Sequence, residues 1–133
     1  MSRLRVLQTS QTGARVNNKC GAERTNGFAS KLEASVYQLL QLRQKAGELE
    51  IIGTQHELWL TEARIVYKPD FTLRDVKLDV LWYCEAKGYE FPKWPIIKKL
   101  WPYYGPAGSW LEIWKGSYKN PVLTEVLKEE FML

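Results

Sequence analysis

From Ser30 onward, apolar side chains recur at three- and four-residue steps, through Leu32, Val36, Leu39 and Leu40. That spacing predicts a helix over 30–46, closed by Ala46-Gly47. Its first residues, Ser30-Lys31-Leu32-Glu33, match a capping box, in which a Glu at the third helical position supports the cap. The period then changes to two. Leu49 to Leu60 suits a strand, a second strand follows at about 64–72, and a short turn is expected over Leu73 to Lys77. Leu78, Val80, Trp82, Cys84 and Ala86 then alternate with Asp79, Leu81, Tyr83, Glu85 and Lys87, a strand with two differently used faces, ended by Gly88. Trp94, Ile97, Lys98 and Trp101 return to helical spacing, with prolines in the first turn and a predicted end before Pro102. Ser109 to Trp114 reads as a fourth strand and Pro121 to Phe131 as a closing helix. The predicted order is helix, three strands, helix, strand, helix.

Residues 1–27 mix Ser, Thr, Gln, Asn, Gly and Arg without apolar period, and are expected to form a basic, mobile arm ahead of one domain over 28–133. With 133 residues, 45% hydrophobic and 13% aromatic, the chain can bury an ordinary core. The net charge of +4 is compatible with a polyanionic partner. The bases are concentrated at the front, where Arg3, Arg5, Arg15, Lys19, Arg24 and Lys31 face a single acid, Glu23. The longest apolar run, Val80 to Cys84, is far short of the ~20 residues that span a bilayer, so no membrane partner and a cytoplasmic location are expected. Cys20 and Cys84 belong to no metal-binding or disulfide pattern. Cys84 reads as a buried free thiol.

The chemistry-bearing stretch is Tyr67-Lys68-Pro69-Asp70-Phe71, followed by Glu85-Ala86-Lys87. Residues two apart on a strand share a face, so Glu85 and Lys87 point the same way. If the two strands form a hairpin, Asp70 comes close to Glu85, and two such acids call for a cation. Oxygen ligands without His or Cys select Mg²⁺ or Mn²⁺, a setting suited to phosphodiester hydrolysis. Lys87 can position or deprotonate the attacking water, or stabilise the pentavalent state.

Pro69-Asp70 followed by Glu85-Ala86-Lys87, preceded by the helical Glu33, resembles the PD-(D/E)xK nuclease superfamily. The resemblance implies an α/β, restriction-endonuclease-like αβββαβ core, with a mixed sheet flanked by helices. It implies Glu33, Asp70, Glu85 and Lys87 as catalytic residues, with Glu33, Asp70, Glu85 and the Ala86 carbonyl around the metal. Asn18-Lys19, Gly27-Phe28-Ala29-Ser30-Lys31-Leu32-Glu33, Lys45-Ala46-Gly47-Glu48-Leu49 and Gln55 extend the likeness to a phage-borne branch similar to phage junction-resolving endonuclease I. That branch implies an endodeoxyribonuclease acting on branched DNA or Holliday junctions in phage recombination or replication, in the host cytoplasm. Two symmetric cuts would then call for a homodimer. The chain departs from close relatives after Lys87-Gly88, where Tyr89-Glu90 replaces the Thr or Ser often found there.

Each residue also has a plainer reading. Asp70, Glu85 and Lys87 could form a surface hairpin with a salt bridge, and Glu33 could serve only the capping box. Gln55 could orient a water or phosphate, or be an ordinary strand residue, and His56 is expected on the other face. Arg15, Lys19, Arg24 and Lys31 at the front and Lys93, Lys98 and Lys99 after the motif are candidate DNA contacts. The tryptophans among the latter fit a buried helical face better than base stacking. The alternatives to a junction nuclease are a monomeric nicking or end-processing enzyme and a non-catalytic DNA-binding module of a larger assembly.

Overall fold

In a computed structural model that describes residues 30–88 and 90–129, helix α1 spans Lys31–Lys45. It begins where expected because Ser30, in extended conformation, accepts the Glu33 N–H on its Oγ at 3.0 Å. This satisfies one of the amides left open at a helix start. Ser30→Ala should therefore lower unfolding stability by about 1 kcal/mol, read as a shifted denaturant midpoint at constant m. A midpoint unchanged from wild type would assign the helix start to packing alone. The predicted arm, with Arg15, Lys19 and Arg24, lies outside the described residues.

The strands are β1 (Leu49–Thr54), β2 (Leu58–Trp59), β3 (Val66–Tyr67), β4 (Phe71–Asp75), β5 (Val80–Ala86), β6 (Trp110–Ser117) and β7 (Asn120–Lys128), and α2 (Trp94–Tyr104) lies between β5 and β6. Five of them form one mixed sheet in the order β1-β4-β5-β6-β7, with β5 and β6 parallel and the other pairs antiparallel. The parallel pair requires a crossover, and α2 supplies it. One sheet face packs Phe71, Leu73, Trp82 and Cys84 against Leu32, Val36 and Leu40 of α1. The other packs Tyr83, Leu111 and Ile113 against Trp94, Ile97 and Trp101 of α2. Of the alternation read along 78–87, Val80–Ala86 is the strand, buried on both faces from Trp82 to Glu85, while Leu78 and Asp79 belong to the turn before it. Among the described residues, no helix is long and apolar enough to cross a membrane.

Five expectations are corrected. The long first strand breaks after Thr54, where Gln55 enters the left-handed region at φ 57°, and its remainder joins Val66–Tyr67 in a separate hairpin. The second strand likewise divides around Pro69, which cannot donate to a ladder. The turn lies at 76–79, because Leu73 to Asp75 continue β4 as far as the pair Asp75↔Val80. Helix α2 runs through Pro102 to Tyr104. Proline there removes only one late helical hydrogen bond, and burial of Trp101 on the core side offsets that loss.

The closing helix is instead strand β7, paired along its whole length with β6. Val122, Val126 and Leu127 fit a helical period only loosely, whereas Glu125 and Leu127 turn inward on a period of two. The ladder is interrupted at Thr124, whose Oγ1 donates to Ile113 O at 3.0 Å. Pairing with a preformed neighbour overrode a weak local preference. Pro121 is tolerated because β7 is an edge strand.

Candidate active site

The β4–β5 register pairs Phe71 with Cys84, and one further step sets Asp70 opposite Glu85. Asp70 lies just before β4, Glu85 within β5 and Lys87 just after it, so all three gather at one end of the sheet. The start of α1 brings Glu33 to the same end. Glu33, Asp70 and Lys87 are each 8% exposed and Glu85 4%, which excludes a solvated surface hairpin for this group.

Both oxygens of Asp70 and both of Glu85 have donors. Asp70 Oδ2 accepts the Ala86 N–H at 2.8 Å and Asp70 Oδ1 accepts from Gln55 Nε2 at 3.1 Å. The Lys87 ammonium donates to Glu85 Oε2 at 2.9 Å, while the Tyr67 hydroxyl donates to Glu85 Oε1. Lys87 Nζ also lies 4.3 Å from the Phe91 ring centroid and 4.8 Å from that of Trp94, inside cation–π range. Its backbone N–H donates to Trp114 O at 2.8 Å, which fastens the end of β5 to β6. Lys87 is thereby fixed at both ends.

Burial pushes the Asp70 carboxyl well above the usual carboxylate range. The charges of Glu85 and Glu33 add to this, against the lowering pull of the Ala86 N–H and Lys87. The same burial and the neighbouring Glu85 push the Tyr67 phenol well up, so it remains a donor. Cys84 is buried, with its thiol pushed up chiefly by desolvation, as expected of a packing residue.

These residues fit a small divalent cation by the chemistry of their donors. An ionised carboxylate offers about four acceptor sites, so each oxygen of Asp70 and Glu85 keeps capacity beyond its protein donor. The carboxylates repel one another, and all the candidate ligands are hard oxygens. The N–H and C=O of a strand residue face the same neighbour, so the Ala86 carbonyl lies on the strand edge whose amide holds Asp70. Among the described residues, no group of three His, Cys, Asp or Glu side chains is already arranged to hold a metal ion. No protein-family model matches the chain, and no curated protein or solved structure matches it.

Of the candidate DNA contacts, Gln55 belongs to the carboxylate group itself: its backbone N–H donates to Asp70 O at 3.2 Å and its amide to the Asp70 side chain. Holding a non-glycine residue at φ 57° costs on the order of 1 kcal/mol, offset by these two bonds. Lys93 Nζ donates to Val66 O at 3.2 Å, and Lys98 pairs with Glu125 at 3.0 Å. Lys98 and Lys99 line a shallow groove of about 330 Å³ with Glu90, Trp94 and Pro95. Lys31 stands over the Tyr118 ring at 5.1 Å, at the start of α1. Trp94 and Trp101 are buried, as the helical spacing indicated, and His56 is exposed.

Tyr67 was not among the site residues expected from sequence, nor were Phe91 and Trp94 as neighbours of Lys87. Tyr67 stands in the quoted Tyr67–Phe71 stretch, yet no periodicity links it to Glu85. The link exists only because the β2–β3 hairpin folds Tyr67 between Trp94 and Trp101.

Proposed function

We propose that the chain is a Mg²⁺- or Mn²⁺-dependent endodeoxyribonuclease with a restriction-endonuclease-like core. The observation that carries this reading is the burial of Glu33, Asp70, Glu85 and Lys87 together at one sheet end, although they come from well-separated parts of the chain. Isolated charges in such a place are strongly unfavourable, and a perturbed acid such as Asp70 grouped with further acids and a lysine marks a candidate functional site. The order α1, β1, β4, β5, α2, β6 also agrees with the αβββαβ order that the motif implies.

In this reading Glu33, Asp70, Glu85 and the Ala86 carbonyl hold the cation, which would lower the pKa of a water and offset charge on the phosphate oxygens. Gln55 orients the Asp70 carboxylate, and the Ala86 N–H fixes its second oxygen. Lys87, held against Glu85, is placed to orient the attacking water or to stabilise negative charge on the phosphate. Lys31, Lys98 and Lys99 would contact the DNA backbone. Branched DNA or a Holliday junction is the proposed substrate, with a homodimer making paired cuts in the host cytoplasm.

The test is cleavage of labelled four-way junction, flap, linear duplex and single-stranded DNA with Mg²⁺, Mn²⁺ or EDTA. Metal-dependent paired cuts in the junction, reduced at least about 100-fold in Asp70→Ala and Lys87→Ala, are the expected result. Cuts confined to nicks or ends would favour the end-processing alternative. The ion pair between Lys87 and Glu85 favours a second reading, a DNA-binding module whose acids are satisfied internally. Binding without cleavage under either metal would select it.

A further inference from the structure

The β2–β3 hairpin delivers Tyr67 to Glu85 from its inner face, and its outer face carries a pair of side chains that the carboxylate group does not use. Leu60 and Tyr67 are buried, whereas Trp59, paired across the hairpin with Val66, is 57% exposed. The other five tryptophans, all among the described residues, are buried or half-buried. The Arg64 guanidinium lies 4.7 Å from the Trp59 ring centroid, inside cation–π range. Arg64 reaches it from the left-handed region, at φ 59°, where glycine or asparagine is the easier residue. The turn itself needs no arginine side chain. Its backbone is closed by the Arg64 N–H on Thr61 O at 2.8 Å and the Leu60 N–H on Ile65 O at 2.9 Å, and the Ala63 N–H donates to Thr61 Oγ1 at 3.0 Å. A strained residue whose side chain serves only an exposed ring points to a ligand outside the fold.

Resting on the DNA-binding reading above, we propose that Trp59 and Arg64 form a stacking platform for one unpaired nucleobase beside the carboxylate group. The surroundings fit nucleic acid better than a protein or lipid surface. The ring stands alone: Leu58, Leu60 and Ile65 turn to the core and Val66 is half-buried, so no broad apolar patch extends from it. Cations lie around it instead. Lys68 sits on the same hairpin and Lys93 Nζ reaches it at Val66 O, 3.2 Å away. With Arg64 these are three bases against Glu57 and Glu62, and Glu57 already meets Lys68 at 3.7 Å. An aromatic ring among cations holds a single strand by stacking on a base while the cations take its phosphates. A base inside a duplex has both faces covered by its neighbours, so the platform takes an unpaired one, as at a branch point or flap. The pair Trp59↔Val66 adjoins Leu58↔Tyr67, which sets such a base one strand position from the residue bonded to Glu85.

The test follows binding of oligothymidylate and of a blunt linear duplex in EDTA, where neither is cut, by anisotropy of labelled DNA and by tryptophan emission with unlabelled DNA. Wild type should bind oligothymidylate with quenching of its exposed tryptophan. Trp59→Thr, with a melting midpoint matched to wild type, should bind oligothymidylate roughly 5- to 100-fold more weakly, lose the quenching and bind the duplex as before. Arg64→Gly, which takes φ 59° freely, should melt no lower than wild type and bind oligothymidylate about 2- to 5-fold more weakly. A folded Trp59→Thr that binds oligothymidylate as tightly as wild type overturns the platform and leaves the nuclease reading standing, as does wild type that binds the duplex alone. An Arg64→Gly chain that melts well below wild type yet binds equally assigns the pair to hairpin stability and also overturns the proposal. Should Trp59→Thr fail to fold, the affinity of Arg64→Gly decides, and an unchanged value counts against the platform. Wild type that binds neither DNA overturns both readings.

Discussion

Asp70→Asn is expected to abolish metal-dependent cleavage while making the metal-free chain more heat-resistant than wild type at neutral pH. Burial and the charges of Glu85 and Glu33 raise the Asp70 carboxyl well above its usual range. A group that binds its proton more tightly when folded adds stability below its unfolded value, near 3.8. That contribution is lost as pH rises through the raised folded value. At neutral pH, above its unfolded value, the metal-free Asp70 carboxyl is therefore a burden on the fold. Asparagine removes the charge and can keep both hydrogen bonds. Its carbonyl accepts the Ala86 N–H, and the Gln55 amide can rotate to accept from the new amino group.

The gain should appear as a melting midpoint raised by several degrees in EDTA, since ~1 kcal/mol moves a domain of this size by roughly 3–5 °C. Lowering the pH from neutral toward the unfolded value should stabilise wild type and stabilise Asp70→Asn less. Some slope will remain in the variant, because burial also raises Glu112. In Mn²⁺ the order should reverse in favour of wild type, which alone retains the full ligand set. An Asp70→Asn chain that melts lower in EDTA, or still cleaves with Mn²⁺, would contradict the account of Asp70 as a repelled metal ligand.

What could be read from sequence followed the strength of local signals. The capped start of α1 was legible because Ser30 and Glu33 satisfy backbone groups within one turn. The alternation of β5 was legible because both its faces are buried. From β5 and the Asp70 position, the approach of Asp70 to Glu85 and Lys87 could be anticipated, whereas Glu33 was added only by the resemblance to the nuclease superfamily. Strand β7 was not legible as a strand, because its conformation is imposed by pairing with β6, and three apolar positions can satisfy either period. Tyr67 was missed for a related reason. Its hydroxyl meets Glu85 through a hairpin break at Gln55, and a non-glycine residue in the left-handed region carries no sequence signature. The local rules failed where the chain departs from regular structure to complete the carboxylate group, as expected of strained positions near function.

Lys87→Met should be the most destabilising of the single changes at this site, and Mn²⁺ should reverse more of its effect than it adds to wild type. Glu85 Oε2 and Lys87 Nζ are 2.9 Å apart, with side chains 6% and 7% exposed, so the pair has little solvent to screen it. Removing one partner of a buried pair leaves an uncompensated charge and costs about 3–5 kcal/mol, whereas an exposed pair contributes no more than ~1 kcal/mol. Methionine keeps the length and the contact with Phe91 and Trp94 but leaves Glu85 with Tyr67 as its remaining donor. Glu85→Gln alone should also destabilise, by stranding the ammonium. The double variant Glu85→Gln/Lys87→Met should return to within about 1–2 kcal/mol of wild type, because neither charge remains. A denaturant double-mutant cycle measures this directly, and single-variant losses below ~1 kcal/mol would show the pair to be solvated in solution. The metal arm separates structure from function. A cation bound at about 100 times its dissociation constant adds ~2.7 kcal/mol to a chain that binds it only when folded. In Lys87→Met the cation would in addition restore a positive partner to Glu85 that the substitution removed. Recovery by Mn²⁺ in Lys87→Met but not in the double variant would therefore assign the ammonium and the metal to the same carboxylate.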